Sequence, residues 1–431
     1  MLFSSIIFSI IAYFKAYFHK KKIVLEDTVG FIHPYPGAMG GGELVLWTWI
    51  SNLDCNVIVY CTEKQKSILK DAQQRFNVEI KKDIKFVVIK RDLFASNNYT
   101  FLTLLGQALG SIVFVSDCCN QTYLPRKFID TTGLAFGYKI AKLYGVEVIA
   151  YVHYPIISLD MISAVKSNKA AFNNSKWIAN VPFIGFIKVL YYKWYANWYS
   201  QVGKIPSTVY VNSTWTKNHI DMLWLINSRI VYPPCQSAEL LKIPLPRSGY
   251  DIVSVAQFRP EKNHELQIRA FQQVIQKAKR NHLIYFPHLT LIGGVRDNRD
   301  AARVDALKAL VLELQIDKYV TFLVDAPYSV LVHLLSKSDI GIHTMLNEHF
   351  GIGIVEYMFS GCIVVAHNSG GPRLDIVKPD IGYLAATEAE YASTIYSILF
   401  EVSTNDKLKM RKLARKSVTD RFSGFKVDPI D

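Results

Sequence analysis

No C-x-x-C pair occurs in these 431 residues, and the six cysteines (55, 61, 118, 119, 235 and 362) follow no pairing rhythm. That spacing disfavours a cysteine-ligated zinc or dithiol redox centre and points to reduced thiols in a reducing compartment. The D-x-D triplet is also missing, so nothing in the chain resembles a carboxylate clamp for a metal-bound diphosphate. Charge on a leaving diphosphate would have to be met by lysine, arginine and backbone N–H groups. Neither G-x-G-x-x-G nor G-x-x-x-x-G-K-[ST] is present, which argues against an NAD enzyme or a P-loop NTPase. Acidic residues are in deficit, 36 against 49 Lys and Arg, for a formal net charge of +13. Such a surplus suits an anionic partner, phospholipid headgroups or a phosphorylated substrate. No nucleic acid is expected, because metal-finger spacing, a helix-turn-helix signal and basic repeats are all lacking.

Half of the residues are hydrophobic, ample for two cores. The N-terminal run "LFSSIIFSIIAYF" carries its positive charge after it, at Lys15 and "HKKK", the reverse of a signal peptide. It reads as a short uncleaved membrane anchor over residues 1–22. An interfacial amphipathic segment is the alternative, since a span usually needs about 20 residues. Were it an anchor, the positive-inside rule would leave the rest of the chain cytosolic. Residues 97–116 carry no charge and would span, dip or pack; residues 177–199 mix Trp, Tyr and two lysines as interfacial helices do.

Beyond the anchor, short buried strands alternate with amphipathic helices, the pattern of parallel sheets built from βαβ units. "KIVLEDTVGFIHPY", "NVIVYCT", "IKFVVIK", "VEVIAYVHYP" and "TVYVN" are strands of a first α/β domain, residues 23–232. Four prolines without regular period mark a linker at 233–249. A second α/β domain follows over 250–402, and helical pattern runs from 388 to 421, with a C-terminal helix or tail over 403–431. The expectation is two Rossmann-like domains with an interdomain cleft.

Ligands of such sheets bind beyond the strands' carboxyl ends. There the first domain offers Gly40, Gly41 and Gly42 before a helix, where backbone N–H groups can approach a phosphate or sugar. "YVHYP" ends a strand at His153, a candidate for a leaving phosphate or sugar hydroxyl, or simply a packed strand-end histidine. In the second domain "AQFRPEKNH" places Lys262 to reach a diphosphate with Arg259 close by; alone, this would read as a solvated charged turn. "NEHFGIGIVEYMFSGCIVVAHNSGG" sets Glu348 before the Phe350–Gly353 turn and Glu356 a turn or so into the following helix. Glu348 could accept bonds from sugar hydroxyls, and Glu356 could take both hydroxyls of a ribose.

The E-x7-E spacing after an R-P-E-K turn resembles the retaining family 4 glycosyltransferases of the double-Rossmann (GT-B) fold. "YVHYP", "VNSTWTKNHI", "QFRPEKNH" and "NEHFGIGIVEYM…VVAHNSGGP" carry the likeness across both domains. The resemblance implies GDP-mannose as donor and α-1,2 transfer of the fourth and fifth mannoses onto a dolichol-diphosphate oligosaccharide. It further implies the cytosolic face of the endoplasmic reticulum membrane, association with other mannosyltransferases of that pathway, and no metal or other cofactor. By position it gives catalytic roles to His153, Glu348 and Lys262. Donor binding would fall to Gly41, Gly42, Arg259, Lys262, Glu348, Phe350, Gly351 and Glu356. Retention would then proceed by front-face attack, the departing phosphate taking the acceptor's proton. Gln257 stands where many members carry arginine. Alternative readings are another family 4 enzyme with a lipid-linked acceptor, a nucleotide-sugar epimerase, or a catalytically silent nucleotide-sugar-binding subunit.

Overall fold

The computed structural model describes residues 1–19, 22–38, 40–63, 67–76, 78–157, 182–235, 238–247 and 249–427. Lys20, Lys21 and the start of the 177–199 stretch lie outside them. The chain divides into two compact units, Met1–Tyr232 with Lys426–Asp431, and Pro233–Phe425.

The first unit is a seven-stranded parallel sheet built from β1 (Ile23–Ile32), β2 (Asn56–Cys61), β3 (Ile84–Val88), β4 (Tyr123–Asp130), β5 (Glu147–Val152), β6 (Thr208–Val211) and β7 (Arg229–Ile230). Their order across the sheet is 3-2-1-4-5-6-7. β1 enters partly exposed and ends fully buried, so its last residues are held between helix layers. The chain passes from β1 to α2 (Gly41–Ser51) and from β2 to α3 (Ile68–Phe76). After β6, Ser213 caps α7 (Thr214–Trp224) by accepting the Thr216 N–H at 3.1 Å. β4 is a strand that the hydrophobic pattern did not disclose, because Pro125, Arg126 and Lys127 interrupt it. It is nonetheless central, beside β1, and Pro125 is tolerated where the register shifts between Leu25 and Val29.

The expected spanning anchor at the N-terminus is not confirmed. No helix among the described residues is long and apolar enough to cross a membrane. α1 (Leu2–Tyr17) has 16 residues, about 24 Å at 1.5 Å per residue, against a hydrocarbon core of about 30 Å. It lies along α4 (Thr103–Cys119) through a stripe of buried small residues, Ser5, Ser9, Ala12 and Ala16. The Ser9 hydroxyl donates to the Leu109 carbonyl at 3.1 Å, and Ser5 Oγ lies 2.8 Å from the Tyr99 hydroxyl. The large apolar side chains Phe3, Ile10, Phe14 and Phe18 face outward. Residues 97–116 pack: α4 buries most of its length in the core of this unit. Near the end of the unit, α5 (Tyr138–Leu143) precedes β5 and α6 (Pro182–Gly203) precedes β6. α6 buries Tyr192, Tyr195 and Tyr199 while Ile187, Leu190 and Trp194 stay exposed.

The second unit is a six-stranded parallel sheet of β8 (Asp251–Val255), β9 (His288–Gly293), β10 (Val320–Val324), β11 (Ile340–His343), β12 (Ile363–His367) and β13 (Tyr383–Ala385). Its order is 10-9-8-11-12-13. The connecting helices are α8 (His264–Arg280), α9 (Asn298–Glu313), α10 (Tyr328–Lys337) and α11 (Ile352–Ser360). The helical run expected over 388–421 is two helices, α12 (Glu388–Phe400) and α13 (Thr404–Phe422), because Ser403 starts the second as a new N-cap. α13 is part of this unit: its buried Arg411 pairs with buried Asp339 before β11. Removing one partner of such a buried pair costs about 3–5 kcal/mol.

Candidate functional site

Each sheet reverses its strand order once, between β1 and β4 in the first unit and between β8 and β11 in the second. At such a switch point neighbouring loops leave in opposite directions and open a crevice beyond the strand ends.

At the second unit's switch point, the loop after β8 makes one tight turn, Pro260–Lys262, before α8. Lys262 Nζ donates to Glu348 Oε2 at 2.5 Å and lies 3.2 Å from Met345 Sδ. β11 ends in His343, whose Nε2 is 3.1 Å from the same Glu348 oxygen. The two loops are stitched together by Thr344, whose hydroxyl donates to the Lys262 and Asn263 carbonyls and accepts Gln267 Nε2 at 2.8 Å. From the far side, the Gly371 N–H donates to the Glu348 carbonyl at 2.8 Å. Gly370 has φ +61°, and a Cβ there would stand 2.3 Å from that carbonyl oxygen. Only glycine allows so close a backbone approach.

The electrostatics follow from these contacts. Burial by itself would raise the Glu348 pKa, but the His343 hydrogen bond and the Lys262 charge hold it well below the usual carboxylate range. Glu348 is therefore an ionised acceptor at neutral pH. Burial and the nearby Lys262 push His264 down to about 4, leaving it neutral. His367 is lowered too, first by burial, and its Nδ1 lies 2.8 Å from Ser369 Oγ. The site thus holds an anion and a cation that neutralise each other, an arrangement a diphosphate and a sugar hydroxyl could take over.

The other candidates in this unit have their own surroundings. Arg259 lies 4.0 Å from Glu261 and lines a groove of about 680 Å³ between α8 and α9 with Arg299 and Arg303. Neither Lys262 nor Glu348 lines that groove. Phe350, placed above among the donor contacts, is 2% exposed and packs its ring edge-on against Phe422, 5.4 Å between centroids. Its side chain is thus spent on core packing, and contact with a donor could come only through its backbone. Gly351 caps α11 at φ +104°. Glu356 sits half-buried in α11, near enough to add to the burial that raises the Cys235 thiol.

In the first unit, Gly42 and His153 come together: a Cβ on Gly42 would lie 3.6 Å from His153 Nε2. The His153 ring meets Tyr151 edge-on at 4.9 Å, and its carbonyl accepts Asn212 Nδ2 at 2.8 Å. The loop from His33 to Gly40 is tied down at almost every residue. His33 Nδ1 is 2.7 Å from Thr131 Oγ1, across the switch point, and its Nε2 is 3.1 Å from Glu43 Oε1. The other Glu43 oxygen accepts the Gly40 N–H at 2.6 Å, and Glu63 accepts the Gly37 N–H at 2.8 Å. Burial opposes ionisation of Glu43, yet His33 and the backbone bonds leave its pKa lowered. Gly41 opens α2, with Gly42 behind it, and this fixed loop sets where their N–H groups lie.

Comparison with known proteins places these features. Residues 26–224 match the family described as ALG11 mannosyltransferase N-terminus, and residues 239–416 match glycosyl transferases group 1. A human protein named GDP-Man:Man(3)GlcNAc(2)-PP-Dol alpha-1,2-mannosyltransferase is 44% identical over 434 residues, covering 94% of this chain and 87% of the relative. The protein of the same name from Dictyostelium discoideum is 40% identical, over 94% of this chain and 83% of its own length. The chain belongs to this mannosyltransferase family. Solved structures agree on the fold. HepE from Anabaena, in complex with UDP and glucose, gives a TM-score of 0.61 at 17% identity, covering 91% of this chain and 95% of that one. Sucrose-phosphate synthase from Thermosynechococcus elongatus gives 0.63 at 15%, covering 92% and 95%. Both fit two Rossmann-like domains of the GT-B kind.

In this member of the mannosyltransferase family the structure brings Lys262 to Glu348 and Gly42 to His153, all singled out from the sequence, and adds His33, Glu43 and His343, which were not singled out as site residues. A strand-end histidine was the available signal. It was weighed as a site residue for His153 alone, although the strand in "KIVLEDTVGFIHPY" also ends near a histidine, His33.

Proposed function

We propose that this chain transfers mannose from GDP-mannose, with retention and in α-1,2 linkage, onto a dolichol-diphosphate oligosaccharide carrying three mannoses, and then adds a fifth. The observation that carries this reading is the Lys262–Glu348 pair at the switch point, in a chain whose relatives carry that name along nearly their whole length. Lys262 is the cation for the leaving diphosphate, Glu348 the acceptor for mannose hydroxyls, and Glu356 the acceptor for the ribose. Gly41 and Gly42 present backbone N–H groups to phosphate, and His153 keeps its place at the reacting sugar. A front-face step needs no carboxylate nucleophile: the glycosidic C–O bond to phosphate breaks as the acceptor oxygen bonds the same face. The departing phosphate takes the proton. Charge compensation by Lys262 and N–H groups makes the reaction metal-independent in this proposal.

The same proposal puts the protein at the endoplasmic reticulum membrane, on its cytosolic face. Support comes from the outward apolar side chains of α1 and the exposed Ile187, Leu190 and Trp194 of α6. A helix with its small residues packed inward and its large apolar side chains outward suits the plane of the bilayer interface. Replacing Phe3, Ile10 and Phe14 by aspartate should release the protein from liposomes in a flotation assay.

The decisive assay offers radiolabelled GDP-mannose and trimannosyl-chitobiosyl-diphosphodolichol to the purified chain, with and without EDTA. Transfer by wild type, unaffected by EDTA and abolished in Glu348→Ala, is the expected result. No transfer, or equal transfer by the variant, would sink the catalytic reading.

A further inference from the structure

We infer that His343 is the positioning residue for Glu348, holding its carboxylate on the donor sugar after the diphosphate has drawn Lys262 away. This rests on the function proposed above and adds a residue with no assigned role. His343 ends β11, is 6% exposed, and has its carbonyl fixed by the Tyr391 hydroxyl at 2.8 Å. Its backbone is therefore held at the strand end, with the ring buried.

The two Glu348 oxygens are used unequally. Oε2 takes both Lys262 Nζ at 2.5 Å and His343 Nε2 at 3.1 Å, whereas Oε1 meets the backbone N–H of His349 at 3.2 Å. A sugar hydroxyl would approach Oε1, the less committed oxygen. Lys262, in contrast, is shared property. Its flexible stem lets Nζ move to a diphosphate, whose two charged groups outbid one carboxylate. Once Nζ moves, the side-chain tether left on Oε2 is the His343 Nε2–H. A carboxylate accepts only, so this contact assigns the ring proton to Nε2. Lys262, His264 and His367 are the other titratable groups around this pair. None of them replaces His343: Lys262 is the group that leaves, and His367 is directed to Ser369.

His343→Gln and His343→Met test this, because the two replacements are similar in size and only glutamine keeps an N–H for Glu348. Binding of GDP and of GDP-mannose is measured on the full chain by calorimetry, with kcat and KM where transfer is seen. The gain in affinity that mannose adds over GDP alone should fall about 10- to 100-fold in His343→Met, the loss of one charge-assisted hydrogen bond. GDP affinity should stay within about twofold, and His343→Gln should recover most of the gain. Equal behaviour of the two variants, or parallel loss of GDP and GDP-mannose binding, would overturn the inference. A wild type that gains affinity from mannose yet transfers nothing would refute the proposed reaction and leave this test intact. A wild type binding neither compound would overturn both.

Discussion

The two switch points share a plan and differ in what the plan is for. In each unit a buried histidine at or just past a strand end holds a glutamate near the start of the next helix, His33 with Glu43 and His343 with Glu348. Glu43 spends its second oxygen on the Gly40 N–H of its own loop. Glu348 is matched by Lys262, a side chain on a different loop. A carboxylate satisfied by a backbone donor and a buried ring has nothing to release, so it shapes a loop. One neutralised by a flexible lysine can trade that partner for a ligand. Glu43 is read as architecture and Glu348 as chemistry.

That contrast can be broken by experiment. The largest effect is expected from Lys262→Ala: a fall in kcat/KM of about 10³-fold or more, since a charge meeting the leaving group is removed. Its stability should fall by only about 1–2 kcal/mol, because His343 still pairs with Glu348. Glu43→Ala should do the opposite, costing about 2–4 kcal/mol in urea unfolding by orphaning His33 and the Gly40 N–H, with activity falling as the loop loosens. Glu43→Gln should be milder, because an amide oxygen still accepts from Gly40. Equal ratios of activity loss to stability loss in Lys262→Ala and Glu43→Ala would end the distinction.

A smaller effect concerns pH within the second unit. His264 has a folded value of about 4, against about 6.5 for an unfolded histidine. Between these values the unfolded chain binds the extra proton, so stability falls as pH drops from about 6.5 to 4, by on the order of 3 kcal/mol. Glu348 has the depressed sense of shift: its contribution is complete above the unfolded carboxylate value and is lost only in stronger acid. Unfolding followed at stepped pH should show the first slope in wild type and a flatter one in His264→Gln. An unchanged slope would mean that His264 is not the buried neutral ring described.

Much of the fold was legible because parallel sheets buried on both faces write long apolar runs into the chain, as in "NVIVYC" and "CIVVAH". β4 escaped because proline and two cations occupy a strand whose burial is decided by its neighbours. The packing of α1 escaped for a related reason. An apolar run of its length reads as an anchor, and the small residues at 5, 9, 12 and 16 acquire meaning only when α4 lies against them. Within the site, Lys262 and Glu348 were readable from the turn and the E-x7-E spacing. The Phe350 ring packs on Phe422 of α13, a contact between a loop and a helix far apart in sequence that local spacing does not show.

By itself the sequence determined the alternation of strand and helix, the break near Pro233, the charge surplus and the identities of the two acids and the lysine. Those are local properties of periodicity, turn chemistry and residue type. Only the tertiary structure decided that Lys262 and Glu348 share one oxygen contact, and that His33 and His343 each hold a glutamate. Such pairings depend on which strand ends meet at a reversal of sheet order, a long-range packing outcome that local residue spacing does not encode.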